Sequence, residues 1–214
     1  MHNIPIGIIF TSEMKEAENI SKAERTRQFI IEKTAPIFNT KGYAGTSLSD
    51  MTEATGLTKG SIYGNFANKD EVAVAAFEYN LKKVNTIVKA ELSTATTYKE
   101  KLLVYIKVYQ HYSTLPFPQG GCPIMNTAIE SDDTHPLLRK KAAEAILTWT
   151  NTVTKTITKG IEAGEFSNTI KPEQSAVAIV AMIEGGIMMS RVLGKRTYLN
   201  DVLEQVSKMI ENMV

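Results

Sequence analysis

The run TSLSDMTEATGLTKGSIYGNF, residues 46–66, holds side chains whose types and spacing could contact DNA. If Ile62 and Phe66, four residues apart on one helix, point into a core, then Lys59, Gly60, Ser61, Tyr63, Gly64 and Asn65 face outward. Such a face suits a major groove. Its glycines let the backbone approach, Ser61 and Asn65 can hydrogen-bond base edges, and Lys59 and Tyr63 can reach phosphate. Thr46, Thr58 and Lys69 stand at helix starts, where free N–H groups and the helix dipole attract phosphate. Cys122 is a second candidate. It follows Gly120 and Gly121, and at a helix N-terminus its thiolate would be favoured, which suits sensing of oxidants or electrophiles. A lone cysteine is nonetheless more often a small buried apolar residue. Catalysis has weaker candidates, Cys122 with His111 or Asp133 with His135 and a serine. None lies in a phosphate loop, a nucleophile elbow or a metalloprotease motif, so an enzyme is not expected.

The elements that must position these residues are helical. Ile30, Ile31, Thr34, Ile37 and Phe38 lie on one face of a helix over 22–40, with a kink expected at Pro36 and an end at Gly42. A second short helix, 47–55, is capped by Thr46 and stopped by Gly56, whose left-handed conformation permits a tight turn. Thr58 caps the third, and Asn68 with Glu71 resembles a capping box that opens a fourth over 69–92. Further helices are expected near 98–114, 120–130, 136–163, 172–193 and 199–213, with no strand alternation. The fold class is therefore all-α. Residues 1–20 read as an extension that could be flexible, 21–67 as a helix-turn-helix domain, and 68–214 as a larger helical domain.

Bulk properties exclude more than they assign. A chain of 214 residues, 43% hydrophobic, fills a substantial core. Residues 21–83 carry nine Lys and Arg against seven Asp and Glu, a surplus too small to argue DNA binding from charge alone. No uninterrupted apolar stretch approaches bilayer-spanning length, and the run from Ile4 to Phe10 lacks a basic residue before it, so neither membrane insertion nor secretion is expected and a cytoplasmic location follows. One cysteine and three histidines give no disulfide and no zinc spacing, and no cofactor or metal is expected.

The landmarks Phe38-x-x-x-Gly42-Tyr43, Thr46-Ser47, Gly56-Leu57-Thr58-Lys59-Gly60-Ser61-Ile62-Tyr63, Phe66 and Lys69 resemble the DNA-binding region of TetR-family regulators. The resemblance implies an N-terminal three-helix DNA-binding domain and a larger C-terminal ligand-binding and dimerisation domain. It implies double-stranded operator DNA, a second copy of the chain and a small-molecule effector as partners, and repression relieved when the effector binds. Gly64 departs from the large polar or aromatic residue usual after the helix-3 tyrosine, so Asn65 is the candidate replacement.

The same resemblance implies that the last two long helices form a four-helix dimer interface. Ala176, Ala178, Ala181, Gly185 and Gly186 would allow close helix approach, and Leu199, Val202, Leu203, Val206, Met209, Ile210 and Met213 form one stripe. Ala181, Gly185, Leu203, Val206, Ile210 and Met213 are the expected interface residues. Tyr105, Tyr109, His111, Cys122, Met125, Asn126, Ile129, Trp149, Met182 and Met188 are the candidate effector contacts, although such residues also make ordinary cores. The rival reading is a helical adaptor, which requires nothing of the outward residues on helix 3.

Overall fold

The computed structural model describes residues 21–214, so the expected extension lies outside the described residues. Their order is α1 Lys22–Gly45, α2 Leu48–Thr55, α3 Lys59–Tyr63, α4 Lys69–Leu92, α5 Tyr98–Gln110, α6 Pro123–Ser131, α7 Pro136–Glu162, α8 Pro172–Val192 and α9 Thr197–Glu211. No strand occurs among them. The starts are written in the local sequence. Ser21 with Glu24, Ser47 with Asp50 and Thr97 with Glu100 form reciprocal capping boxes, while Thr58 and Asn68 accept N–H bonds from Ser61 and Glu71. Pro123, Pro136 and Pro172 occupy first turns, where a missing N–H costs no helix bond.

Three expectations about element ends are corrected. The break in α1 lies at Gly42, with φ +74°, and Pro36 lies within helical backbone. The cap of α2 is Ser47, because Thr46 is fully buried and its hydroxyl donates to the Gly42 carbonyl. The α5–α6 connection is also longer than expected: Gly120 and Gly121 take φ values of +95° and +91°, which no right-handed helix accommodates, so α6 starts only at Pro123.

The helices bury two apolar clusters. The front one gathers Ile30 and Phe38 of α1, Met51 of α2, Ile62 of α3, Phe66, and Val72, Ala73 and Ala76 of α4, closed by Leu138 of α7. The rear one draws Leu102, Tyr105 and Tyr109 from α5, Trp149, Val153 and Ile157 from α7, Ile179 and Ile183 from α8, and Leu199, Leu203, Val206 and Ile210 from α9. Helix α4 serves both, since Phe77 belongs to the rear cluster one residue after Ala76 joins the front.

The four interface residues expected on the last helix are corrected. Leu203, Val206, Ile210 and Met213 are at most 2% exposed within a single chain, because α9 spends its apolar stripe packing on α5 and α8. Gly186 faces inward, where an added Cβ would press on Leu199 and Val202, whereas at Gly185 it would meet nothing. Gly185 and Ala181 instead share an outward face of α8 with Val177, Met188 and Val192, the last 80% exposed. Helix α8 is long and apolar enough to cross a membrane by composition, with mean hydropathy 1.5. Its apolar residues are divided between the rear core and this outward stripe.

Candidate nucleic-acid interface and effector cavity

Helix α3 has only five residues, too few to persist alone, and is held from both sides. Ile62 is fully buried and Phe66 2% exposed beneath it. Arg27 of α1 bolts its far end: the guanidinium donates to the Asn65 carbonyl at 2.5 Å and to Glu71 at 2.6 Å, and lies 3.9 Å over the Phe66 ring. Sequence reasoning missed Arg27, because this contact spans 38 residues of chain. Gly56, in the left-handed conformation with φ +66°, turns α2 into α3.

Thr58, Lys59, Gly60 and Gly64 are exposed, and Ser61 and Tyr63 half-buried, with Tyr63 packed on the front core. Two expected contacts change. Thr46 is buried and unavailable to phosphate, leaving Ser47 exposed at that helix start. Asn65 is tied back, its amide donating to the Ser61 carbonyl at 2.9 Å. Lys69 is half-buried with its ammonium 4.3 Å over the Tyr43 ring, at the start of α4.

A joint links this front surface to the rear bundle. The Glu130 carboxylate of α6 accepts the N–H groups of Tyr43 at 2.7 Å and Ala44 at 2.8 Å, immediately after the Gly42 break. A Cβ at Gly42 would collide with that carboxylate, a second reason for glycine there. Asn39 donates to the carbonyls of Gln119 (2.7 Å) and Gly121 (3.0 Å), and Asn126 donates to those of Asn39 and Gly120, both at 2.9 Å. Tyr43 also donates its hydroxyl to Asp70, which raises the phenol pKa to about 12 and lowers that of Asp70. His135 stands edge-on to Tyr43 at 4.4 Å, with Nε2 3.5 Å from Asp70.

Behind the joint lies a cavity of about 440 Å³ between α4, α5 and α7. Of the expected contacts, Tyr105, Tyr109 and Trp149 line it. Phe77, Leu81, Val84 and Val88 of α4 and Ile124 of α6 complete the apolar wall. Met125, Asn126, Ile129 and Met188 border a separate, more open groove between α1, α6 and α8. Met182 packs on the rear core, and His111 is exposed at the end of α5, bonded to the Lys107 carbonyl.

Cys122 departs from the sensing expectation. It is 1% exposed, burial first and then the neighbouring Glu184 push its thiol well up, and the helix N-terminus only partly opposes them. Its Sγ donates to Glu184 Oε1 at 2.9 Å. A buried neutral thiol is a poor nucleophile.

Comparison with known proteins agrees with this geometry. Residues 30–76 match the bacterial regulatory proteins of the tetR family, and residues 99–206 the tetracyclin repressor-like C-terminal domain. A TetR-family transcriptional regulator from Cytophaga hutchinsonii is similar at 51% identity, over 91% of this chain and 98% of that one, with a TM-score of 0.88. A TetR transcriptional regulator from Chloroflexus aurantiacus is similar at 36% identity over the same shares, with a TM-score of 0.86. The HTH-type transcriptional repressor DhaR of Mycobacterium sp. (strain GP1) is 24% identical over 84% of this chain and 89% of its own length.

Proposed function

The chain belongs to the TetR family of DNA-binding transcriptional regulators, and on that premise we propose that it is a cytoplasmic dimeric repressor released from its operator by a small molecule in the rear cavity. The observation that carries the DNA reading is the two-sidedness of α3: Ile62 and Phe66 are locked into the core while Lys59, Gly60 and Ser61 are presented outward. Tyr63 and Gly64 border that face, Thr58 and Ser47 offer hydroxyls at its edges, and Lys69 supports it from the start of α4. Repression, rather than activation, is supported by the relative named a repressor.

Two copies are needed, because recognition helices must reach successive major-groove faces about 34 Å apart. The outward stripe of α8, Val177, Ala181, Gly185, Met188 and Val192, is the face that supports pairing, and α7, which packs on α8, also carries an exposed Leu147. Gly185 leaves room there for a partner helix. An effector can act only by binding the DNA-competent and incompetent states unequally; a difference of about 3 kcal/mol changes operator affinity roughly a hundredfold.

A mobility-shift titration against DNA upstream of the protein's own coding sequence tests the reading. The parent should bind one fragment in preference to random DNA. Lys59→Ala should weaken binding across sequences and reduce the salt slope by about one. Equal binding to random DNA, or an unchanged Lys59→Ala protein, would refute the docking of α3.

A further inference from the structure

We propose that the rear cavity takes an uncharged, planar aromatic molecule bearing a hydrogen-bond acceptor, and that the Trp149 indole N–H is the donor that selects it. This rests on the reading above that a small molecule occupies the cavity. Trp149 is 9% exposed and lines the cavity, and its Nε1 is buried without a hydrogen-bond partner. A buried N–H left unpaired is costly, and a bound acceptor would remove that cost.

The shape of the wall points to a flat occupant. The Tyr109 ring stacks on Trp149 with centroids 5.6 Å apart and planes at 26°, and Tyr105 lies tilted 5.8 Å away on the same indole. Leu81, Val84 and Val88 supply an aliphatic wall from α4. Aromatic faces with aliphatic walls favour an offset-stacked ring system, and about 440 Å³ lies in the range of small-molecule sites.

Charge argues for neutrality. The ionisable residues of known charge around the cavity are Lys89 and Lys141 against Glu78 and Glu144, two of each sign, and Lys141 is already paired with Glu78 at 2.7 Å. Lys89 and Glu144 are exposed to water, so a charged ligand pressed against the aromatic wall would lose its hydration while its nearest counter-charges kept theirs.

Trp149 is the single tryptophan of the chain, so its indole N–H gives one identifiable resonance in a ¹H–¹⁵N spectrum of the full-length protein. Quinoline and naphthalene serve as probes at pH 8, where both are neutral and differ by a ring nitrogen in place of a C–H. Quinoline should move the indole resonance downfield, and naphthalene should bind without that movement. In calorimetry, Trp149→Phe should lower the quinoline-to-naphthalene affinity ratio about tenfold, the loss of one hydrogen bond to a buried donor. An unchanged ratio, an indole shift identical for both probes, or no binding of either would overturn the proposal. The spectrum of the parent decides the matter even if Trp149→Phe fails to fold. Both measurements omit DNA, so failure of operator binding would strike the regulatory reading and leave this one standing.

Discussion

A glutamate at Val206 and a glutamate at Val177 should fail in opposite ways, and the difference separates core from interface. Val206 is fully buried, so Val206→Glu forfeits about 1.5–3 kcal/mol of apolar burial. It also sets a carboxyl among Leu203, Ile210 and the α8 residues beneath; even neutral and unpaired, such a group costs about 2–7 kcal/mol. The sum, about 4–10 kcal/mol, is comparable to the whole stability of an ordinary domain, about 5–15 kcal/mol. Loss of helical circular dichroism and of soluble protein is expected. Val177 is 58% exposed, and Val177→Glu should cost a single chain no more than about 0.5 kcal/mol. On the pairing face, however, it brings like charges together across a two-fold axis. Multi-angle light scattering should then report a fully helical species near the chain mass of 23.6 kDa, where the parent reports twice that. A folded, monomeric Val206→Glu protein together with a dimeric Val177→Glu protein would return the interface to α9 and refute the assignment of the α8 stripe.

Burial raises the Glu184 carboxyl pKa to about 7, so the folded state binds its proton more tightly than the unfolded chain does. The stabilising contribution is therefore complete below the unfolded value of about 4.5 and is lost as pH rises through about 7. Glu184→Gln should remove most of this component from a urea-denaturation series between pH 5 and 8, and a parent series flat over that window would contradict the sign. Glu130→Ala deletes the acceptor of two backbone N–H groups, one of them part-buried at Tyr43. A loss of about 2 kcal/mol, or roughly 4–8 °C in Tm for a chain of this size at fixed concentration, is expected, and an unmoved melting curve would dismiss the joint as energetically idle.

The front of the molecule was legible because its signals are local. Gly56, Thr58 and Asn68 punctuate the chain by rules that act within four residues, and the Ile62–Phe66 spacing identifies the buried side of α3. The displaced cap of α2 was also recoverable, since Ser47 and Asp50 carry the capping-box pattern that Thr46 lacks. The rear was less legible for a physical reason. An apolar stripe such as Leu203, Val206 and Ile210 declares that a helix is covered, and nothing in its period distinguishes its own chain from a second copy. The same ambiguity hid the cavity wall on α4: Leu81, Val84 and Val88 have helical spacing, but only their position opposite Trp149 makes them a wall. Arg27 and Glu130 act across 38 and 87 residues of sequence and leave no local pattern.

Those long-range contacts give α6 a position suited to carrying a signal. Ile124, at its start, lines the cavity, and Cys122, its N-cap, shares the rear core with Tyr109 of the cavity wall. Near its other end, Glu130 holds the N–H groups of Tyr43 and Ala44, three to four residues before Ser47 caps the first helix of the helix-turn-helix pair. A nine-residue helix is about 13 Å long and bends little, so displacement at Ile124 reaches Glu130 as rigid rotation. Gly42 is where that rotation is most easily absorbed, because it already departs from helical dihedrals. Helix α4 offers a parallel route through its shared membership of both cores, but its 24 residues are gripped along much of their length by α1. The shorter lever meets α1 at its existing break, which makes α6 rather than α4 the route that the proposed effector would use to reach the start of α2.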